Sequence, residues 1–186
     1  MHFSLCDFVL DVVQNSVEAG AKNIQLDFTE ADGRISVRVA DDGRGMSEEE
    51  ASRALDPFYS NGTKHVGRKV GLGLPFLLQA VQAVDGEWSL ESRKGVGTEV
   101  RFAFPADNVD TPPLGDVVGL FRSVLAFDGS YEMRIRRKRA DGVDGAGTEY
   151  ELCRSELEEA AGDLSEASSL ILLGRFIESQ EHPGDP

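Results

Sequence analysis

The chain has 186 residues, 40% hydrophobic and 28% charged, which suits one folded domain with an appendage and not a disordered or fibrous chain. Its 19 Lys and Arg face 33 Asp and Glu, and the formal net charge of −14 disfavours nucleic acid and anionic membranes as partners. No apolar run is long enough to cross a bilayer, and Asp7 and Asp11 interrupt the only apolar stretch near the start, so a cytoplasmic protein is expected. Cys6 and Cys153 lack metal-ligand spacing and read as buried free thiols.

In chain order, residues 5–19 carry Leu5, Phe8, Val9, Val12, Ser16 and Val17 at helical spacing, with Ser4 and Asp7 as a capping start and Gly20 as a stop. Ile24, Leu26 and Phe28 alternate, and so do Ile35, Val37 and Val39. Asp32-Gly33 between them predicts a hairpin. Ser47 and Glu50 form a capping box before a short helix that Pro57 ends. Residues 60–73 are rich in Gly and Lys without apolar period and predict a mobile loop. A helix follows on Leu74, Leu77, Leu78 and Val81. A second hairpin joins Trp88 and Leu90 to Val100, Phe102 and Phe104 through Gly95 and Gly97. The prolines and aspartates of 106–113 predict a linker. Beyond it, 114–181 read as an amphipathic helix (Val117, Leu120, Phe121, Val124), a hairpin (Met133, Ile135; Tyr150, Leu152), a helix capped by Ser155 and Glu158, and a last helix on Leu170, Leu173 and Ile177. Residues 182–186 read as a disordered tail. Abundant helices with antiparallel strand pairs predict an α+β, two-layer sandwich of a mixed, largely antiparallel sheet and helices.

Four segments carry candidate chemistry. In the first, Asp11 and Asn15 lie four apart and share a helix face. A helical Asn can offer its carbonyl oxygen to Mg²⁺, and a carboxylate one turn earlier can take a proton from water. In the second, Asp41-Asp42-Gly43-Arg44-Gly45-Met46 follows a strand. An Asp there can accept from an adenine amino group, and the glycines allow close approach of backbone to the base. In the third, Gly67-Arg68-Lys69-Val70-Gly71-Leu72-Gly73-Leu74 opens a helix, where free backbone N–H groups suit phosphate, and Lys64, Arg68 and Lys69 add positive charge. In the fourth, Thr98 follows Gly95-Val96-Gly97 and can bond the adenine edge or a water beside it.

In this order the segments resemble the N, G1, G2 and G3 boxes of the GHKL superfamily, which includes histidine kinases, DNA gyrase and MutL. Asp56-Pro57-Phe58-Tyr59-Ser60 resembles the F box of the kinases. The resemblance covers residues 5–104 and implies a Bergerat fold with ATP held between helices under a lid. It implies ATP and Mg²⁺ as ligands, with Asn15 on the metal and Asp41 on adenine. Gly43 and Gly45 would line the base, with Met46 near it or in the core. Lys64, Gly71, Leu72, Gly73 and Leu74 would serve the phosphate side, and Thr98 would close the adenine side.

The pattern also departs from the kinases. Glu18 stands where they carry Lys, and Asp11 stands where the family's ATPases carry a Glu general base, one methylene longer. None of His2, His65 and His182 sits in a phosphoacceptor helix. The expectation is therefore a regulatory Mg-ATP-binding module with slow hydrolysis, recruiting a protein partner through 114–181. The alternatives are a kinase acting in trans on a partner, as anti-sigma-factor kinases do, and a non-catalytic nucleotide-sensing subunit.

Overall fold

The computed structural model describes residues 4–57, 73–140 and 147–182. Helix α1 (Leu5–Glu18) starts at the expected capping box: Ser4 Oγ accepts from the Asp7 N–H at 3.2 Å, and the Asp7 carboxylate accepts from the Ser4 N–H at 2.8 Å. The α1 face bearing Leu5, Phe8, Val9, Val12 and Val13 is buried. Strands β1 (Asn23–Ala31) and β2 (Arg34–Asp41) pair antiparallel around Asp32 and Gly33, both at positive φ, as a tight hairpin requires. Helix α2 (Glu48–Ala54) carries the Ser47–Glu50 capping box. Helix α3 (Gly73–Ala83) leads into the antiparallel pair β3 (Glu87–Arg93) and β4 (Gly97–Pro105).

The second half continues the same sheet. After α4 (Val117–Leu125), strand β5 (Glu132–Arg139) pairs parallel with β1, and β6 (Thr148–Cys153) pairs antiparallel with β5. Among the described residues the order is β3-β4-β2-β1-β5-β6, a six-stranded mixed sheet with one parallel pair. The α+β class and the largely antiparallel sheet agree with expectation. Helices α1, α3, α4 and α6 (Ala167–Glu181) share a hydrophobic core with Ile24, Leu26, Phe28, Val37, Phe102 and Ile135. The opposite sheet face is polar, with Arg38 bridging Asp27 at 2.9 Å and Glu99 at 2.6 Å.

The stretch expected as a linker is tied down. The Leu5 and Cys6 N–H groups donate to the carbonyls of Pro113 and Leu114 at 2.8 and 3.0 Å, which satisfies two of the otherwise unpaired donors at the start of α1. Two local expectations need correction. Helix α5 (Arg154–Ala161) starts one residue earlier than Ser155 and has no side-chain cap, because Cys153 takes the N-cap position and Ser155 lies inside the helix, where Glu158 pairs with Arg154 at 3.1 Å. Cys6 is buried, with its thiol pushed up to about 12 chiefly by burial, whereas Cys153 is only half-buried. Strand alternation also divides the basic residues 134–139 of β5 between the two sheet faces. Arg136 pairs with Glu151 at 3.0 Å on the outer face, but Arg137 turns inward to Glu181 and Glu30. The loop expected at 60–73, apart from Gly73, and the tail beyond His182 lie outside the described residues.

Candidate nucleotide site

The C-terminal ends of α1 and β2, the start of α3 and the start of β4 meet around a cavity of about 230 Å³. Asn15, Ser16, Glu18 and Ala19 line it from α1. Asp41 and Val39 come from β2, and Arg44, Gly45 and Met46 from the turn after it. Leu74 opens α3, Ala54 ends α2, and Thr98 and Val100 come from β4. A larger hollow of about 430 Å³ on the outer sheet face, around Arg38, Arg101 and Trp88, contains none of the four segments.

The two adjacent aspartates have different tasks. Asp42 Oδ1 accepts from the backbone N–H groups of Lys22 and Asn23 at 2.6 and 2.8 Å, and Oδ2 accepts from the Asn23 amide at 2.7 Å. These bonds, led by the Asn23 side chain, hold its carboxyl below the usual range, and they fix the start of β1. Asp41 faces the cavity. Its Oδ2 accepts from the Ser16 hydroxyl at 2.6 Å and its Oδ1 from the Gly43 N–H at 2.8 Å. Each carboxylate oxygen has two lone-pair sites, so acceptor capacity remains after both bonds.

The opposite wall is equally constrained. The Ser92 hydroxyl accepts from the Met46 N–H at 2.8 Å, donates to the Gly97 carbonyl at 3.1 Å, and lies 2.9 Å from Thr98 Oγ1. Thr98 is the register partner of Asp41 across β2 and β4. Two glycines permit this closeness. Gly45 has φ +59° and a Cβ there would fall 2.1 Å from the Arg93 carbonyl oxygen. Gly97 has φ +140° and its Cβ would fall 1.9 Å from the Asp41 carbonyl oxygen.

Of the expected site residues, Asn15, Asp41, Gly45, Met46, Leu74 and Thr98 line the cavity together. Gly43 does not line it; its N–H holds Asp41, and a Cβ there would fall 2.9 Å from the Ala19 Cβ. Asp11 also lies off the wall. Its carboxylate packs against the first residue of α3, where a Cβ on Gly73 would meet Asp11 Oδ2 at 3.0 Å. Lys64, Gly71 and Leu72 lie outside the described residues. Ser16, Arg44 and Ser92 join the candidate site beyond the expected residues. Ser16 reads in the sequence as part of the apolar stripe of α1, and its signal is its polarity on that face next to Asn15.

Asn15 is exposed on α1 at the cavity, and its side-chain amide has no hydrogen bond among the described residues. A neutral oxygen donor of this kind fits Mg²⁺, which is held through few protein ligands plus substrate phosphates.

At one end of the α+β layers an anchored carboxylate thus faces a Thr across a small cavity. A family model described as histidine kinase-, DNA gyrase B-, and HSP90-like ATPase matches residues 4–108, and the chain belongs to this family. It thus carries the family's ATP-binding domain. Sporulation kinase C of Bacillus subtilis (strain 168) is 32% identical over 98 residues, 52% of this chain and 22% of that kinase. Histidine protein kinase DivJ of Caulobacter vibrioides is 33% identical over 105 residues, 55% of this chain and 18% of that protein. The chain thus spans less than a quarter of these relatives' lengths. Among solved structures it is similar to full-length ShkA in complex with AMPPNP, with a TM-score of 0.43 and 26% identity over 53% of this chain and 20% of that one.

Proposed function

We propose that the cavity receives the adenine of Mg-ATP and that the protein is a regulatory module which hydrolyses ATP slowly. The observation that carries this reading is Asp41, a carboxylate oriented by Ser16 and Gly43 with acceptor capacity left toward the cavity. It would accept from the adenine 6-amino group, with Thr98 closing the other edge of the base and Met46 beside it. The phosphates would run past Leu74 toward the N-terminus of α3, where free N–H groups favour negative charge. Gly73 would allow their approach, and Lys64, Gly71 and Leu72 would complete that side. Asn15 would hold Mg²⁺, which neutralises phosphate charge.

In hydrolysis, Asp11 would take a proton from a water as that water's oxygen bonds to the γ-phosphorus. The bond from the γ-phosphorus to the β–γ bridging oxygen breaks, and ADP and phosphate leave. Asp11 is shorter than a Glu and lies off the cavity wall, so turnover is expected well below the roughly 10 s⁻¹ typical of enzymes. A second reading, phosphoryl transfer to a protein acting in trans, draws on the kinase relatives.

γ-Labelled ATP incubated with the purified protein tests the reading. Slow release of free phosphate that Asp11→Asn abolishes supports it. Label appearing on an added partner instead favours transfer, and bound but uncleaved ATP contradicts hydrolysis.

A further inference from the structure

We propose that the outward face of α6 docks a basic, amphipathic helical segment of a partner protein. Among the described residues, five large hydrophobic side chains are exposed, and three of them lie together on this helix: Ile171 at 57%, Leu172 at 55% and Phe176 at 45%. The other two, Val96 and Val109, lie far apart in loops. Helix α6 thus carries apolar side chains beyond the stripe it buries. Ser169, Leu173, Ile177 and Glu181, four residues apart, face the core, while Leu172 and Phe176, also four apart, continue the apolar surface along the flank of that stripe into solvent, and Ile171 is exposed one residue before Leu172. A surface helix normally buries its apolar stripe, and an apolar flank left in solvent points to a contact surface.

The charge around the stripe selects the occupant. Glu156, Glu159, Asp163, Glu166 and Glu178 are exposed on α5, α6 and their connection, where Arg175 is the one exposed cation among the described residues. Arg122 of α4 reaches over α6, its Nη1 3.6 Å from where a Cβ on Gly174 would stand. An acidic rim beside an apolar centre fits a helix with apolar anchors at i, i+4 and i+7 and Lys or Arg around them. It opposes an anionic bilayer, and a second copy of this chain would bring like charges together.

The test uses the full chain and two fluorescent synthetic peptides. One has Leu at i, i+4 and i+7 with Lys on its other positions; the other has Glu in place of each Lys. Anisotropy is expected to show the Lys peptide binding at least about tenfold tighter than the Glu peptide. Leu172→Asp should weaken the Lys peptide by a similar factor. Attraction by charge alone would make that more acidic variant bind as well or better, and that result overturns the proposal. Phe176→Ser, which adds no charge, should also weaken binding, and amide shift changes should cluster at residues 168–179. Equal binding of both peptides, shift changes elsewhere, or a dimer in sedimentation that Leu172→Asp disperses would each overturn it.

Discussion

Asp41 and Asp42 are chemically identical neighbours at the end of β2, yet strand alternation sends their side chains to different partners. Asp42 is consumed by the start of β1, whereas Asp41 is presented to the cavity. Asp41→Asn keeps the shape but offers an N–H where an acceptor is needed, and should cost on the order of 1–3 kcal/mol of ATP binding by calorimetry. An unchanged affinity would place the base elsewhere. Ser16→Ala should weaken ATP by about 1 kcal/mol, because it frees the carboxylate without removing it. Asn15→Ala should remove the dependence of ATP affinity on Mg²⁺, and a titration still tightened by the ion would contradict its assignment as the metal ligand. At this scale much of the candidate cavity was legible, because Asn15, Asp41, Gly45 and Thr98, which line it together, sit in short segments whose residue types suggest a chemistry. Ser16 and Ser92 were not, since a lone Ser becomes informative only when its partner across space is known.

Among the elements, α6 is tied to the sheet by a buried ion pair. Glu181, its last residue, is buried with Arg137, whose Nε donates to Glu181 Oε1 at 3.0 Å and whose guanidinium lies over the Phe28 ring at 5.0 Å. Arg137 also pairs with Glu30, and the Tyr150 hydroxyl donates to Glu181. Burial works against the Glu181 charge, but the hydrogen bonds from Arg137 and Tyr150 outweigh it and hold the carboxyl below the usual range. Glu181→Gln should cost about 3 kcal/mol in chemical denaturation, since a buried guanidinium loses one of its two carboxylates. The sign of the pH dependence follows from the lowered value. This contribution is full above the unfolded glutamate value of about 4.3 and is lost as pH falls through the lower folded value. The stability gap between wild type and Glu181→Gln should therefore be flat near neutrality and narrow only in acid; a gap that widens on acidification would contradict the pairing. Helices and hairpins were legible element by element because capping boxes, Asp32-Gly33 and apolar alternation are local signals. The inward turn of Arg137 was not, as a basic run reads as a solvated face until the partner at Glu181 is in place.

For the whole molecule, the unexpected feature is that residues 114–181 extend the sheet. Without β5, β1 would be an edge strand with unpaired backbone groups, a liability that the parallel pairing removes. A parallel partner lies a long crossover away in sequence, and hydrophobic alternation does not state which strand it will join. The extension thereby supports β1 and, through the hairpin with β2, the strand that carries Asp41. The central claim is that these distant segments form one slot selective for adenine and a metal-bound triphosphate. Calorimetric titration of the protein with ATP and with GTP, each with and without Mg²⁺, tests it most directly. Mg-ATP should bind at least about tenfold tighter than Mg-GTP, because guanine presents an acceptor where Asp41 requires a donor. Equal affinity for the two nucleotides, or no binding of either, would contradict the account.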